Sequence, residues 1–384
     1  MKKILIVIPY FVPAYSYGGP VKVAYDHAVG LIGKGFDVTV VTTDALDAKN
    51  RNKVKEEVID GIRIIRFRNF SNYLAKFHNI YMPIWMRKWF KSNISDYDVV
   101  HIHDILNLPA YWGMKFACES KVKYFLQPHG ILSMIRIESR KWWIKKKILW
   151  KMKKLLDSAS GFFALTAQEK IEIENFTDNE RVFDLPNGLY LEKFQNLDWI
   201  DLHNEYNLNP DTKIIAFLWR IQYIKWLDIS LEVLAELNKE YKDWVFLVIW
   251  PDEWEKENLE KLAKDRWIED KIIWYGMEKT EKRYSLLKSS DLFLFTSRAE
   301  WFPMTILEAM AVNVPVLISQ GCNLPEVGKY QAGEVVSIED ISVMVAKLKE
   351  VLENKEKYVL WGDKLLKEKY DINLLIDKLI GYYG

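Results

Sequence analysis

Short apolar runs alternate with amphipathic stretches from one end of the chain to the other. In the first half, Ile4 to Ile8, Val38 to Thr42, Ile62 to Phe67, Val99 to His103, Lys123 to Gln127 and Gly161 to Leu165 read as strands. Between them lie helix-like stretches such as Pro20 to Gly33, where Val21, Ala24, Ala28, Leu31 and Ile32 recur at helical spacing. The alternation predicts right-handed βαβ units and a parallel sheet covered on both faces. The pattern pauses at the turn-forming Leu185-Pro186-Asn187-Gly188 and the polar stretch Leu197 to Asp211. It restarts with Ile214 to Leu218, Trp244 to Ile249, Ile272 to Tyr275, Leu292 to Phe295 and Val314 to Ile318, and ends in an amphipathic segment around Ile372 to Ile380. Two βαβ halves joined near residues 188 to 212 are the expected organisation. Ligands bind beyond the carboxyl ends of open parallel sheets, so two such sheets facing one another predict a cleft lined by strand-end loops.

Composition narrows the class. The chain has 384 residues, 49% hydrophobic and 28% charged, with a net charge of +1. Disorder, collagen and a disulfide scaffold are excluded, and there is no global field for nucleic acid. No apolar run reaches the roughly 18 to 20 residues a spanning helix needs. Cys118 and Cys322 stand far apart with no metal-ligand spacing, which fits a reduced, cytosolic compartment. Met1-Lys2-Lys3 before Ile4 to Ile8 superficially resembles a signal peptide, but the run stops at Pro9 and reads better as a buried first strand.

Two strand-end stretches carry candidate chemistry. Ser297 to Met310 follows the strand Leu292 to Phe295, passes through a loop ending in Pro303 and enters a helix, with Pro303 expected in the first turn. The free amides and positive dipole end there favour an anion. Glu300 precedes the helix and Glu308 lies more than a turn into it, so the two could grip different parts of one ligand. Spacing alone leaves a helix-start acid and a solvated glutamate an equally good account. In Leu218 to Asp228, Arg220 and Lys225 bracket a loop between a strand and a helix, a place for cations that bind a diphosphate. His101 and His103 share one face of a strand, expected roughly 7 Å apart with no third ligand nearby, so joint metal binding is not expected. Asp104 ends that strand. Asp96-Tyr97-Asp98 precedes it, at the sheet edge away from the predicted cleft.

Together these stretches resemble the family-4 retaining glycosyltransferases of the GT-B fold. Glu300 and Glu308, separated by seven residues within E-x-F-P and L-E-A-M, match the family's acidic signature, and Arg220 with Lys225 matches its phosphate-binding cations. Gly18-Gly19, His129-Gly130, Thr166 with Glu169, Pro186-Asn187-Gly188 and Val314-Pro315-Val316 follow in family order. The resemblance implies an α/β fold of two Rossmann-like parallel-sheet domains facing across a cleft. Residues 1–190, joined by a C-terminal helix of about 368–384, would form the acceptor side, and 191–367 the nucleotide-sugar side. It further implies retention of configuration with no metal and no cofactor beyond the nucleotide-diphosphate sugar, a co-substrate. Arg220 and Lys225 would hold the diphosphate, and Glu308 the ribose. Glu300 would orient the sugar with backbone around Phe302, Pro303, Met304 and Thr305, and His129 would sit beside it. Gly18 and Gly19 would admit phosphate or acceptor closely.

One departure is systematic. Tryptophan stands at 219, 226, 250 and 301, where the family has glycine, and Trp254 and Trp267 occupy glycine-like turn positions. An average glycine content of about 7% would give roughly 27 residues, against 17 glycines and 16 tryptophans found. Two readings stay open. Either a stop-type codon is read as glycine and the deduced chain was written with tryptophan, or the tryptophans are genuine and occlude the donor site of a pseudoenzyme. Trp85, Trp89, Trp142, Trp143, Trp150 and Trp244 read as ordinary aromatic positions. Finally, Arg140 to Lys154 mixes eight cations with aromatics and lacks acids, the character of a helix that lies on an anionic membrane surface. A helix packed on its own sheet with a solvated basic face is the competing reading.

Overall fold

The computed structural model describes residues 1–132, 142–218, 227–249, 255–278 and 280–384, with backbone alone at 142–145. The chain folds as two units, Met1–Asn187 with Ile372–Gly384, and Gly188–Asp371.

The first unit is built on eight strands, β1 (Lys3–Val7), β2 (Asp37–Thr43), β3 (Glu56–Ile59), β4 (Ile62–Phe67), β5 (Val99–His103), β6 (Lys123–Gln127), β7 (Gly161–Ala164) and β8 (Val182–Asp184). Their order is β3-β4-β2-β1-β5-β6-β7-β8. All neighbours run parallel except β3 with β4. Apolar runs such as Ile4 to Val7 are fully buried, as a strand covered on both faces requires. The β3–β4 hairpin turns on Asp60-Gly61, both at positive φ (50° and 80°), the conformation a tight two-residue hairpin demands. The helix Gly19–Gly33 buries Val21, Ala24, Ala28 and Leu31. The helix Ile372–Tyr383 packs beside it, close enough that a Cβ at Gly30 would meet Ile376 at 2.5 Å.

The second unit holds β9 (Lys213–Leu218), β10 (Trp244–Ile249), β11 (Ile272–Gly276), β12 (Leu292–Phe295), β13 (Val316–Ser319) and β14 (Gly333–Val336) in the order β11-β10-β9-β12-β13-β14. Every pairing is parallel. The strand order reverses between β9 and β12, where Ile215 and Ala216 pair with Leu292 and Phe293. In doubly wound sheets that crevice is where ligands bind. In the first unit the corresponding reversal lies at β1 and β5, so the loops to examine follow β1, β5, β9 and β12.

Candidate active site

In the first unit the strand ends are held in unusual backbone. Asp104 follows β5 at φ 59° and His129 follows β6 at φ 56°, with Gly130 at φ 71°. Left-handed backbone at a residue with a Cβ costs about 1–2 kcal/mol, so the surroundings must hold it. Glu169 does this for the His129 loop: its buried carboxylate accepts from Gly130 N at 2.5 Å and from Leu165 N at 2.7 Å. Glu169 is placed by the helix Ala167–Glu174, whose N-cap Thr166 Oγ1 accepts from Glu169 N. His129 Nε2 lies 2.9 Å from His103 Nδ1, and burial pushes its imidazole down to about 3. At neutral pH it is an uncharged hydrogen-bonding group. Tyr10 donates to Asp104 Oδ2 at 3.3 Å and stacks on Tyr17 at 4.6 Å. Gly18, at φ 95°, caps the helix Gly19–Gly33, and a Cβ at Gly18 or Gly19 would meet nothing within 4 Å. That open space suits close approach by a ligand.

In the second unit the loop after β12 is fastened by the loop after β13. Glu300 N donates to Gly321 O at 2.8 Å, Ser319 Oγ donates to Ser297 O, and Cys322 Sγ donates to Phe295 O at 3.3 Å. A Cβ on Gly321 would lie 2.3 Å from Arg298 O and 2.4 Å from Ser297 O, so only glycine permits this approach. Ser297 Oγ in turn donates to Glu300 Oε1 at 2.8 Å. Pro303 is the N-cap, at φ −82° and ψ 95°, and the helix starts one residue later, at Met304–Ala311. The expectation of proline inside the first turn is corrected by one position, because its extended ψ belongs to a cap. Phe302 meets the Tyr370 ring edge to face at 5.8 Å, Met304 is half-buried and Thr305 buried. Glu308 is buried on this helix and accepts from Tyr284 Oη at 3.0 Å, while Arg283 donates to the same oxygen at 2.6 Å. Burial and the Glu308 charge push the Tyr284 phenol up, which keeps it a donor.

Arg220 and Lys225, with Trp219, Trp226, Trp250 and Trp254, lie outside the described residues. Leu218, the last residue of β9, pairs with Ile249 of β10, while Ile215 and Ala216 of the same strand pair with β12. Asp98 Oδ2 accepts from Lys3 N at 2.7 Å, which gives the Asp96-Tyr97-Asp98 segment a structural task before β5. The basic helix spans Trp142–Asp157. Leu149, Met152 and Leu156 are buried in the core while Ile148 and Trp150 are exposed, so one face packs and the other does not. Trp301 is half-buried and is not among the left-handed residues. Trp267 is left-handed (φ 59°), and so is Trp85 (φ 68°), which separates Trp85 from the ordinary aromatic positions expected of it. Sequence reasoning missed Tyr284, Gly321 and His27, which sit far along the chain from their partners and carry no local signal.

Two doubly wound, mostly parallel sheets with helices on their faces are the architecture of the GT-B glycosyltransferases. The family model for Glycosyltransferase Family 4 matches residues 17–193, and that for Glycosyl transferases group 1 matches residues 200–367. The chain belongs to this glycosyltransferase family. It is 28% identical over 256 residues to an uncharacterised glycosyltransferase of Haemophilus influenzae, covering 62% of this chain and 69% of the relative. Among solved structures, sucrose-phosphate synthase from Thermosynechococcus elongatus superposes with a TM-score of 0.76 at 16% identity, over 100% of this chain and 98% of the other. Anabaena HepE in complex with UDP and glucose superposes with a TM-score of 0.70 at 15% identity, over 99% of each chain. Among the described residues no helix is long and apolar enough to cross a membrane.

Proposed function

We propose that the chain transfers a sugar from a nucleotide-diphosphate sugar to a glycan or lipid-linked acceptor, with retention of anomeric configuration and without a metal. The observation that carries this reading is the placement of Glu300 and Glu308 about the first turns of the helix Met304–Ala311, beside the strand that leads into Arg220 and Lys225. Arg220 and Lys225 neutralise the departing diphosphate, with the helix amides around Phe302 to Thr305 adding fixed dipoles. Glu308 binds the ribose, and Glu300 orients hydroxyls of the sugar. As the family resemblance implies, His129 serves the sugar as a neutral hydrogen-bonding group, and Gly18-Gly19 leaves room for phosphate or acceptor. The anomeric C–O bond breaks with its electron pair passing to the diphosphate. The acceptor oxygen then bonds the anomeric carbon on the same face, and its proton passes to a phosphate oxygen. HepE, which shares the fold, is described in complex with UDP and glucose, which supports a nucleotide-sugar donor.

The same reading takes Trp219, Trp226, Trp250, Trp254, Trp267 and Trp301 as glycines in the native chain, since an indole at 219 or 301 would fill the donor site. One shared ordinary UGG codon at Trp219, Trp250 and Trp301 would refute it. No observation favours a donor-occluded pseudoenzyme. For the helix Trp142–Asp157, whose Leu149, Met152 and Leu156 are buried in the core, a solvated basic face and one that meets anionic lipid on the cytoplasmic side are the two readings, and liposome sedimentation with and without anionic lipid separates them. For the reaction itself, nucleotide-sugars are screened by thermal shift on the glycine-restored protein, since a bound donor raises stability. Transfer is then followed with and without EDTA and the product anomer read by NMR. Retention, with no loss in EDTA that Mg²⁺ restores, is the expected outcome; inversion, or strict Mg²⁺ dependence, overturns the proposal.

A further inference from the structure

A group of buried imidazoles in the first unit is not explained by sugar transfer. His101 and His103, two apart on β5, share a face with ring centroids 4.1 Å apart, closer than strand spacing alone suggests. The helix Gly19–Gly33 crosses that face and brings His27 over both, at ring-centroid distances of 5.8 Å and 5.7 Å. All three are at most 1% exposed. One ring nitrogen from each comes within 4.8 Å of the others.

Hydrogen bonding sharpens the picture. His27 Nδ1, His101 Nε2 and His103 Nε2 are buried without a hydrogen-bond partner. On the two strand residues the opposite nitrogen is engaged: His101 Nδ1 lies 2.8 Å from Tyr383 Oη, and His103 Nδ1 lies 2.9 Å from His129 Nε2. With hydrogen on each Nδ1, both rings donate outward and keep their Nε2 lone pairs unprotonated. Such outward bonds orient imidazoles that bind metals. Gln127 pairs in register with His103 and is buried; its amide interacts with the His101 imidazole but completes no hydrogen bond of normal geometry. Leaving such a polar atom buried and unpaired carries its full desolvation cost, which apolar side chains would avoid. Several together call for an ion or an internal water.

We propose that His27, His101 and His103 form a binding site for a borderline transition-metal ion such as Zn²⁺. Imidazole donors without carboxylates favour Zn²⁺, Co²⁺ or Ni²⁺ over Mg²⁺ and Ca²⁺. Tetrahedral Zn–N bonds of about 2.0–2.1 Å set the nitrogens about 3.4 Å apart, so separations of up to 4.8 Å close by at most about 1.4 Å, within reach of side-chain rotation. Gln127 or a water completes the set. The ion would pin the helix that begins at Gly19 to β5 and, through Tyr383, to the C-terminal helix. Its role is structural, and it does not rest on the sugar-transfer reading.

The test uses the full chain, stripped with a chelator and dialysed, then titrated with Zn²⁺ by calorimetry and with Co²⁺ by visible absorption. Bound metal per chain is measured by mass spectrometry. One Zn²⁺ per chain, a raised Tm on loading, and at least about tenfold weaker binding in both His27→Gln and His101→Gln are expected, with His78→Gln unchanged. If either variant fails to fold, the other is read beside a Zn²⁺-dependent Tm titration of the unmutated chain. No stoichiometric uptake with an unchanged Tm means the cluster holds water and overturns the proposal. Undiminished binding in the folded variants places the ion elsewhere and overturns it too.

Discussion

Replacing Trp267 by glycine should stabilise the protein, although it deletes the largest side chain. Trp267 sits just past the helix Lys256–Asp265. Its N–H donates to Lys264 O at 3.1 Å and that of Ile268 to Ala263 O at 3.0 Å, the paired bonds of a helix end whose turning residue is usually glycine. Ile268 and Ala263 are buried, completing the apolar contact of that motif. The chain ends the helix Gly19–Gly33 the same way, with Gly35 at φ 85° and the bonds Gly35 N to Ile32 O and Phe36 N to Leu31 O. Holding a Cβ in left-handed backbone costs about 1–2 kcal/mol, while glycine's extra freedom in the unfolded chain returns roughly 0.5–1 kcal/mol of that. The indole is 83% exposed, so little burial is lost. The net gain is about 0.5–1 kcal/mol, or roughly 1–4 °C in Tm for a unit of this size. Trp85→Gly, 71% exposed at φ 68°, should behave alike. Trp244→Gly, on a fully buried residue of β10, should cost about 3–5 kcal/mol or more. Scanning calorimetry of the full chain, which separates transitions of the two units, measures all three. A fall in Tm for Trp267→Gly would refute the backbone argument.

Other outcomes follow from the same geometry. Glu308→Gln keeps the shape but removes the charged acceptor beside Tyr284; nucleotide affinity should fall by about tenfold to a hundredfold with Tm nearly unchanged, and unaltered binding by calorimetry would remove Glu308 from the donor site. Gly321→Ala drives a Cβ into Arg298 O and Ser297 O, so the loop bearing Glu300 must shift, with a loss of about 1–3 kcal/mol and a lower kcat/KM; wild-type values for both would show that the loop is not fastened there. Acid should destabilise the metal-free protein: burial lowers His27 to about 4 and His129 to about 3, from 6.5. Their contribution is complete above pH 6.5 and is lost as pH falls toward the folded values, because only the unfolded chain takes up the protons. By pH 5 each loses about 2 kcal/mol, and urea midpoints that stay level from pH 7 to 5 would contradict it.

The fold was legible because strands buried on both faces must be continuous apolar runs, and Val99–His103, Lys123–Gln127, Trp244–Ile249 and Leu292–Phe295 match the structure residue for residue. The strands that escaped are those without such runs. Glu56–Ile59 is an edge strand with a mostly exposed, acidic start. Val182–Asp184 has three residues, and Gly333–Val336 opens on Gly-Glu. The acids of the site were legible because they follow a strand and enter a helix within one short segment. The contacts that hold the site were not: Tyr284 reaches Glu308 across 24 positions, and Glu169, although singled out with His129-Gly130, reaches Gly130 across 39, and no local pattern encodes a contact made only by packing.

Those contacts bear on the proposed reaction, in which charge develops on a departing diphosphate. Fixed dipoles stabilise developing charge only if they need not reorganise when it appears. In the second unit the fixing is done by backbone: the loop after β12 is bonded to the loop after β13, at a contact that admits no Cβ at Gly321, before Glu300 meets any ligand. In the first unit it is done by a buried charge, since the Glu169 carboxylate takes two backbone amides on either side of the β6 and β7 ends and holds His129 in left-handed backbone. Glu169 is therefore a positioning residue. Glu169→Gln would turn one amide-accepting oxygen into a donor facing a donor, at a cost of about 1–3 kcal/mol. The expected signature is a lower kcat with little change in the donor KM, since the proposed function assigns the donor's charged groups to Arg220, Lys225 and Glu308 and not to His129. A proportionate rise in KM with kcat intact would instead mean that Glu169 acts on binding and that the His129 loop holds its shape without it.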